Sequence, residues 1–114
     1  TRDISNRDHT YADMGDYAKA IKDFTFCIDK EPNRTSYLTN RGNAYYKNGK
    51  FQAALSDFTT VVNMTPNDPE AYFNRAIIYG EMRQKQNALN DVNKARQLGK
   101  QNISQEFMNW VNSR

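Results

Sequence analysis

A period of 34 residues is the feature that most constrains this sequence. Five kinds of position recur at that interval, and they are Tyr11, Tyr45 and Tyr79; Ala20, Ala54 and Ala88; Ile21, Leu55 and Leu89; Asp23, Asp57 and Asp91; and the pairs Asn6-Arg7, Asn40-Arg41 and Asn74-Arg75. Agreement at five positions is not expected by chance, so the chain consists of tandem units. The units are residues 1–34, 35–68 and 69–102, followed by a tail of residues 103–114.

Each unit reads as two helices joined by a turn. In the middle unit one apolar stripe lies in 38–45 and a second lies in 51–62, each with the 3–4-residue spacing of a helix face. Gly49 suits the left-handed end of the first helix, and Pro66 stops the second. We expect no strand. The predicted helices lie near 2–14, 17–30, 36–48, 51–64, 70–82, 85–98 and 103–112.

The middle unit resembles a near-consensus tetratricopeptide repeat, and the matching residues are Gly42, Tyr45, Gly49, Ala54, Phe58 and Pro66. Repeat one departs from the pattern at Asp8, where a small residue is expected. Repeat three has Arg83 for the turn glycine, Val92 for the aromatic residue and Lys100 for the proline. The resemblance implies a single all-α domain over residues 1–114. Its fold would be an α-solenoid of three antiparallel helix pairs in a right-handed superhelix, closed by a capping helix at 103–114.

The tail has an amphipathic stripe made of Ile103, Phe107, Trp110 and Val111. Extending the repeat register puts Trp110 where a small residue belongs, so the tail is not a fourth repeat. Asn102 and Gln105 have the spacing of a capping box. We expect Phe107 and Trp110 to be buried against the second helix of repeat three, around residues 88–92. The alternative is a tail that leaves the array and packs elsewhere.

Arginine and aspartate recur together and form the sharpest polar pattern. The arginines lie on the first helix of each unit and the aspartates on the second, at Arg7, Arg41, Arg75, Asp23, Asp57 and Asp91. A guanidinium at a helix-packing boundary needs a carboxylate nearby. The pattern therefore predicts ion pairs within or between units. The competing interpretation is that the arginines face a ligand.

The resemblance implies a non-enzymatic scaffold that binds a peptide or protein segment in a concave groove lined by first helices. By register the groove residues are Arg2, Ser5, Asn6, His9 and Asp13 from repeat one, Thr39, Asn40, Asn43, Tyr46 and Lys47 from repeat two, and Glu70, Phe73, Asn74, Ile77 and Glu81 from repeat three. A second hypothesis is a structural or self-association module, a homo-oligomer built through repeat ends or the C-terminal helix.

Two features of the expected groove point to peptide binding. Asn6, Asn40 and Asn74 would form a ladder of amides, which bridge the backbone of an extended peptide by donating and accepting hydrogen bonds. The alternative is that these asparagines are merely solvated. Phe73 and Ile77 would be an apolar anchor. Scattered surface hydrophobic residues, or contact with the tail helix, would explain the same pair.

The groove charges shape the expected ligand. The carboxylate clamp of chaperone-binding members would fall on Ser5, His9, Asn40, Glu70 and Asn74, and of these only Asn40 matches. Because Glu70 would repel a carboxylate, we expect neither a chaperone C-terminal tail nor another strongly acidic peptide as the ligand.

Composition argues against other classes of function. The net charge of +3 is too small to indicate nucleic-acid binding, although the basic stretch 83–114 would suit an anionic partner. No apolar run approaches the roughly 20 residues that membrane insertion requires. With His9 as the one histidine and Cys27 as the one cysteine, we expect no metal site and no catalytic site. The scattered glycines form no phosphate-binding loop, so we expect no cofactor.

Overall fold

The computed structural model describes residues 16–114, and within them the chain forms six α-helices and no β-strand. The helices are α1 (Tyr17–Lys30), α2 (Thr35–Lys47), α3 (Phe51–Met64), α4 (Pro69–Glu81), α5 (Lys85–Gln97) and α6 (Gln105–Asn112). The predicted all-α helical-repeat fold is confirmed. The helix predicted at 2–14 lies outside the described residues. None of the helices in the described part is long and apolar enough to cross a membrane.

Side-chain caps start three of the helices. Asp68 accepts a hydrogen bond from the Glu70 backbone N–H at 3.0 Å, and Pro69 occupies the first turn of α4. Asp16 caps α1 by accepting from the Lys19 N–H. Ser104 caps α6, and its Oγ accepts from the Phe107 N–H at 3.0 Å.

The capping box predicted at Asn102 and Gln105 is therefore wrong. Asn102 has φ +63°, in the left-handed region, so it lies in the loop before the helix and not at the cap. Ser104 takes that role because its backbone is extended, the conformation from which a cap side chain reaches the first turn.

A shared turn ends α2, α4 and α5. Each turn contains one residue with positive φ: Gly49 at +76°, Arg83 at +60° and Gly99 at +106°. The residue after it donates its backbone N–H back into the last helical turn, as Lys50 does to the Tyr45 carbonyl at 2.8 Å. The turn geometry is thus kept in repeat three although arginine replaces the glycine.

Contacts divide the chain into two compact units with a boundary between residues 60 and 61. In the first unit, α1 and α2 enclose a core of Ala20, Phe24, Cys27, Tyr37 and Ala44, with Ile21 and Ile28 packed against it. The contact of α2 with α3 is very close. A Cβ placed on Gly42 would lie 2.9 Å from Phe58 Cε1, so only glycine lets these two helices approach so closely.

In the second unit, α4 and α5 form a helix pair and α6 lies beside them. The buried apolar residues of these three helices are Ala71, Tyr72, Ala76, Ile78, Ala88, Val92, Ala95 and Val111. The tail helix contacts the second helix of repeat three, as predicted, and its two aromatic residues also contact the first. Phe107 contacts Phe73 and Trp110 contacts Gly80, both on α4, and both aromatic side chains are half-buried.

Candidate functional site

Five predicted groove residues lie on one side of α2. Asn43 and Lys47 are exposed, and Thr39, Asn40 and Tyr46 are half-buried. Residues three and four apart share a helix face, so the five side chains form one strip, which we call the α2 face. The buried residues of α2 are Tyr37, Leu38, Gly42 and Ala44. The α2 face is therefore a continuous polar surface on a helix whose other side is fixed in the core.

Tyr46 is the aromatic member of the α2 face. Its ring centroid lies 5.9 Å from that of Phe51, the first residue of α3, with the rings tilted by 42°. Tilted aromatic pairs at this separation are favourable. The contact fixes the ring at one end of the strip, beside the exposed amine of Lys47.

In repeat three, the predicted groove residues Phe73, Asn74 and Ile77 are all half-buried on α4. The Phe73 ring centroid lies 4.8 Å from that of Phe107 in α6. The amine of Lys100 lies 4.5 Å from the same ring centroid. Phe73 thus contacts both Phe107 and Lys100 within its own unit. These contacts support the alternative in which Phe73 packs against the tail helix and does not anchor a ligand.

Glu70, expected to repel acidic ligands, has a cation beside it. Lys100 Nζ lies 2.7 Å from Glu70 Oε1. The lysine side chain is 17% exposed and the glutamate side chain 61%. The charge at this point of α4 is therefore compensated, which weakens the repulsion that Glu70 would exert on a carboxylate.

The remaining predicted groove residues belong to repeat one or to the end of α4. Asn6 and His9 lie outside the described residues, as do Arg2, Ser5 and Asp13. Glu81 is half-buried in the last turn of α4. The structure thus places five of the predicted residues on α2 and five on α4, each set inside one compact unit.

The repeated arginines are engaged with the predicted aspartates. Arg41 donates from Nε and Nη2 to Asp57 at 2.8 and 2.7 Å, and Arg75 donates in the same way to Asp91 at 2.8 Å for both bonds. Arg41 Nη1 also donates to Thr25 Oγ1 at 3.1 Å. The predicted ion pairs of Arg41 and Arg75 are confirmed, so these arginines hold helices together.

The ion pairs are strong because they are bidentate and partly shielded from water. Hydrogen bonds to Asp57 raise the pKa of Arg41 above its ordinary value, since they favour the charged guanidinium more than burial disfavours it. Asp91 raises the pKa of Arg75 in the same way. Both arginines are therefore held in the charged form that the aspartates require.

Sequence reasoning missed two residues that shape these surfaces. Lys100 was noticed only because it replaces the proline of the repeat pattern, and that replacement did not indicate its contacts with Glu70 and Phe73. Gly80 gave a clearer signal, because it occupies the position of Tyr46 in repeat two, 34 residues earlier. A glycine in place of an aromatic residue inside a helix predicts that another group approaches closely there.

Metal binding gains no support from this part of the molecule. Within residues 16–114, no three side chains of His, Cys, Asp or Glu converge on a point that could hold an ion. The thiol of Cys27 is buried in the core of the first unit.

Solved structures with the same fold include three domains of similar size. The TPR2B domain of yeast Sti1, from its pHsp70 complex, superposes with a TM-score of 0.87 at 21% identity over 99% of this chain and 97% of that chain. The first TPR of Spaghetti (RPAP3), bound to the Hsp90 peptide SRMEEVD, gives 0.85 at 24% over 96% and 89%. The first TPR domain of human RPAP3 gives 0.83 at 25% over 96% and 85%.

These complexes correct the expectation about acidic ligands. We expected neither a chaperone tail nor a strongly acidic peptide, and that exclusion is wrong. Two domains of this fold are seen with chaperone peptides, and SRMEEVD carries three carboxylate side chains. The exclusion relied on Glu70, whose charge is offset by Lys100. It relied also on Ser5 and His9, which lie outside the described residues.

Family profiles match most of the chain. A comparison with curated protein sequences found no match. The profile described as TPR repeat matches residues 42–82, and the one described as Tetratricopeptide repeat matches residues 9–33 and 69–102. The latter profile alone accounts for more than half of the chain. The chain belongs to the tetratricopeptide repeat family.

Proposed function

We propose that the chain is a non-enzymatic protein-interaction scaffold and that it binds a peptide or protein segment on the α2 face. The observation that carries the proposal is the strip of five hydrogen-bonding side chains along about two turns of α2, with Asn43 exposed at its centre and Lys47 exposed at one end. The family to which the chain belongs consists of protein-interaction modules. A strip of this kind on such a module is suited to an extended ligand.

The chemistry of the α2 face favours recognition of a peptide backbone. Each amide side chain has two donor hydrogens and an acceptor oxygen, so Asn43 can bond to both an N–H and a C=O of an extended chain. Asn40 lies three residues before Asn43 on the same face and adds a second amide. The ligand would therefore be held largely through its backbone.

Lys47 and Tyr46 would supply selectivity at one end of the strip. The Lys47 amine is exposed and has a positive charge. It therefore favours a ligand with a carboxylate at that end, which includes acidic tails such as the Hsp90 peptide seen with Spaghetti. The ring of Tyr46, fixed against Phe51, offers an apolar platform beside that charge.

Peptide titration tests the proposal. Fluorescein-labelled SRMEEVD and peptides selected on the wild-type chain by display are titrated into the wild type and into Asn43→Ala/Lys47→Ala. We expect the double variant to lose affinity by about tenfold or more, because two exposed polar contacts are removed. The readout is the dissociation constant from fluorescence anisotropy.

A matched control separates a local effect from a general one. Asn90 and Lys94 on α5 have the same residue types, the same spacing of four and similar exposure. Asn90→Ala/Lys94→Ala should bind every ligand as the wild type does. If all selected peptides bind the Asn43/Lys47 variant as tightly as the wild type, or lose affinity equally in the control, the α2 face is not the binding site.

A further inference from the structure

The α4 helix differs from α2 along one strip, although the two helices occupy the same place in their repeats. Thr39, Asn43 and Tyr46 of α2 correspond, 34 residues on, to residues 73, 77 and 80 of α4. There the side chains are Phe73, Ile77 and Gly80. A polar strip has become an apolar strip with a notch, and we call these three residues the α4 seat.

The notch at Gly80 fits one particular side chain. Gly80 is buried, and a Cβ built on it would lie 2.5 Å from Trp110 Cη2, closer than real side chains approach. Glycine inside a helix is unfavourable compared with alanine. Its presence here therefore indicates a packing requirement, namely room for the six-membered ring of the Trp110 indole.

The rest of the α4 seat receives a second aromatic ring. Phe107 lies on Phe73 with a centroid separation of 4.8 Å, and Phe107 and Trp110 are themselves 5.7 Å apart. Phe107 and Trp110 are three residues apart on α6, so they project from one helix face. The Lys100 amine lies over the Phe73 ring at 4.5 Å. The α4 seat thus takes two rings that are one helical turn apart.

The contacts between α6 and the α4 seat are apolar and not directional. The side-chain hydrogen bonds at α6 stay within the helix and its caps, as in Ser104 to Phe107, Gln105 to Asn109 and Ser113 to Trp110. The helix has 8 residues, which is too short to be stable without its contacts. A different helix with the same ring spacing would meet the same requirements.

We propose that the α4 seat is a second binding site, for a short amphipathic helix with a phenylalanine and a tryptophan three residues apart. The helix α6 is its resident occupant, and an external helix of this kind competes with it. The site lies on α4 and does not depend on the α2 face. Ligand access is set by the fraction of molecules in which α6 has left the seat.

The natural probe is a labelled peptide with the sequence of residues 101–114, added to the full chain. In Phe107→Ala/Trp110→Ala the resident helix loses both rings that occupy the seat. We expect this variant to bind the probe at least about tenfold more tightly than the wild type, because the internal competitor is gone. A probe with both aromatic residues replaced by alanine should not bind.

Filling the notch is the specificity control. Gly80→Ala added to the Phe107→Ala/Trp110→Ala variant should weaken probe binding by about tenfold or more, because the new methyl group occupies the place of the indole. Alanine favours the helix, so this triple variant should be at least as stable as its parent. Equal binding with and without Gly80→Ala would refute the proposal.

The fluorescence of Trp110 in the wild type provides a test without any substitution. Trp110 is the one tryptophan in the sequence, so its emission reports the seat. An unlabelled probe with naphthylalanine in place of tryptophan should shift the Trp110 emission to longer wavelength as α6 is displaced into water. No shift at saturating peptide, together with no tighter binding by the ring-deleted variant, would show that α6 is a permanent part of the fold and that the seat is not a binding site.

Discussion

Arg41 holds Asp57 through two parallel hydrogen bonds, so that the first and second helices of repeat two are joined by a bidentate ion pair. Arg75 and Asp91 repeat the arrangement in the next unit. The arginine side chains are 19% and 17% exposed and the aspartates 5% and 7%. A charge left alone in such a place is costly, because water cannot fully solvate it.

Removing one partner of this pair should therefore be strongly destabilising. We expect Asp57→Ala to lower the free energy of unfolding by about 3 kcal/mol. The comparison is Lys19→Ala, which breaks an exposed pair with Asp16 at 3.7 Å and should cost less than about 1 kcal/mol. Urea denaturation measures both. A double-mutant cycle of Asp57→Ala with Arg41→Met that shows no coupling would rule out this account.

The close approach of α2 and α3 gives a second prediction. Gly42→Ala puts a methyl group against the ring of Phe58, which is 1% exposed and has no room to move. The cost should be about 1–3 kcal/mol. Phe58→Leu in the Gly42→Ala background should recover part of that loss, whereas Phe58→Leu in the wild type should only destabilise. Additive effects of the two changes in thermal melts would contradict the contact.

The shared helix-ending turn gives a matched pair of substitutions. Arg83 has φ +60°, where a side chain is strained, and Gly49 has φ +76° at the equivalent position. We expect Arg83→Gly to raise the free energy of unfolding by about 1 kcal/mol and Gly49→Ala to lower it by a similar amount. Nothing lies within 4 Å of a Cβ at Gly49, so that loss would be purely conformational. Opposite signs in denaturant melts are the decisive result, and equal signs would exclude backbone strain as the cause.

The repeat pattern made most of the fold predictable. Helix positions and the Arg–Asp pairs follow from a period of 34, because equivalent residues in tandem units have equivalent neighbours. The confirmed features are therefore those that repeat.

Features that occur once were harder to predict. The repeat has no counterpart for residues 103–114, so the register could not indicate that Phe107 lies on Phe73 of α4. Asparagine is a common N-cap residue, but the backbone of Asn102 is left-handed, and the residue type alone does not reveal that. The charge of Glu70 was judged without Lys100, which is 30 residues away and lies beside it only in the folded chain.

The last prediction concerns the C-terminal helix. A substitution at Val111 tests whether this helix contributes to the stability of the second unit. Val111 has no exposed surface, whereas its neighbour Asn112 is exposed. Val111→Ala removes two buried carbon atoms and the apolar surface that they cover. It should therefore lower the free energy of unfolding by about 1–2 kcal/mol. Asn112→Ala should change it by less than about 0.5 kcal/mol. Urea denaturation of the two variants makes the comparison. If Val111→Ala were as stable as the wild type, α6 would contribute nothing to the second unit, and the aromatic contacts of Phe107 and Trp110 would have to be too weak to hold it on α4.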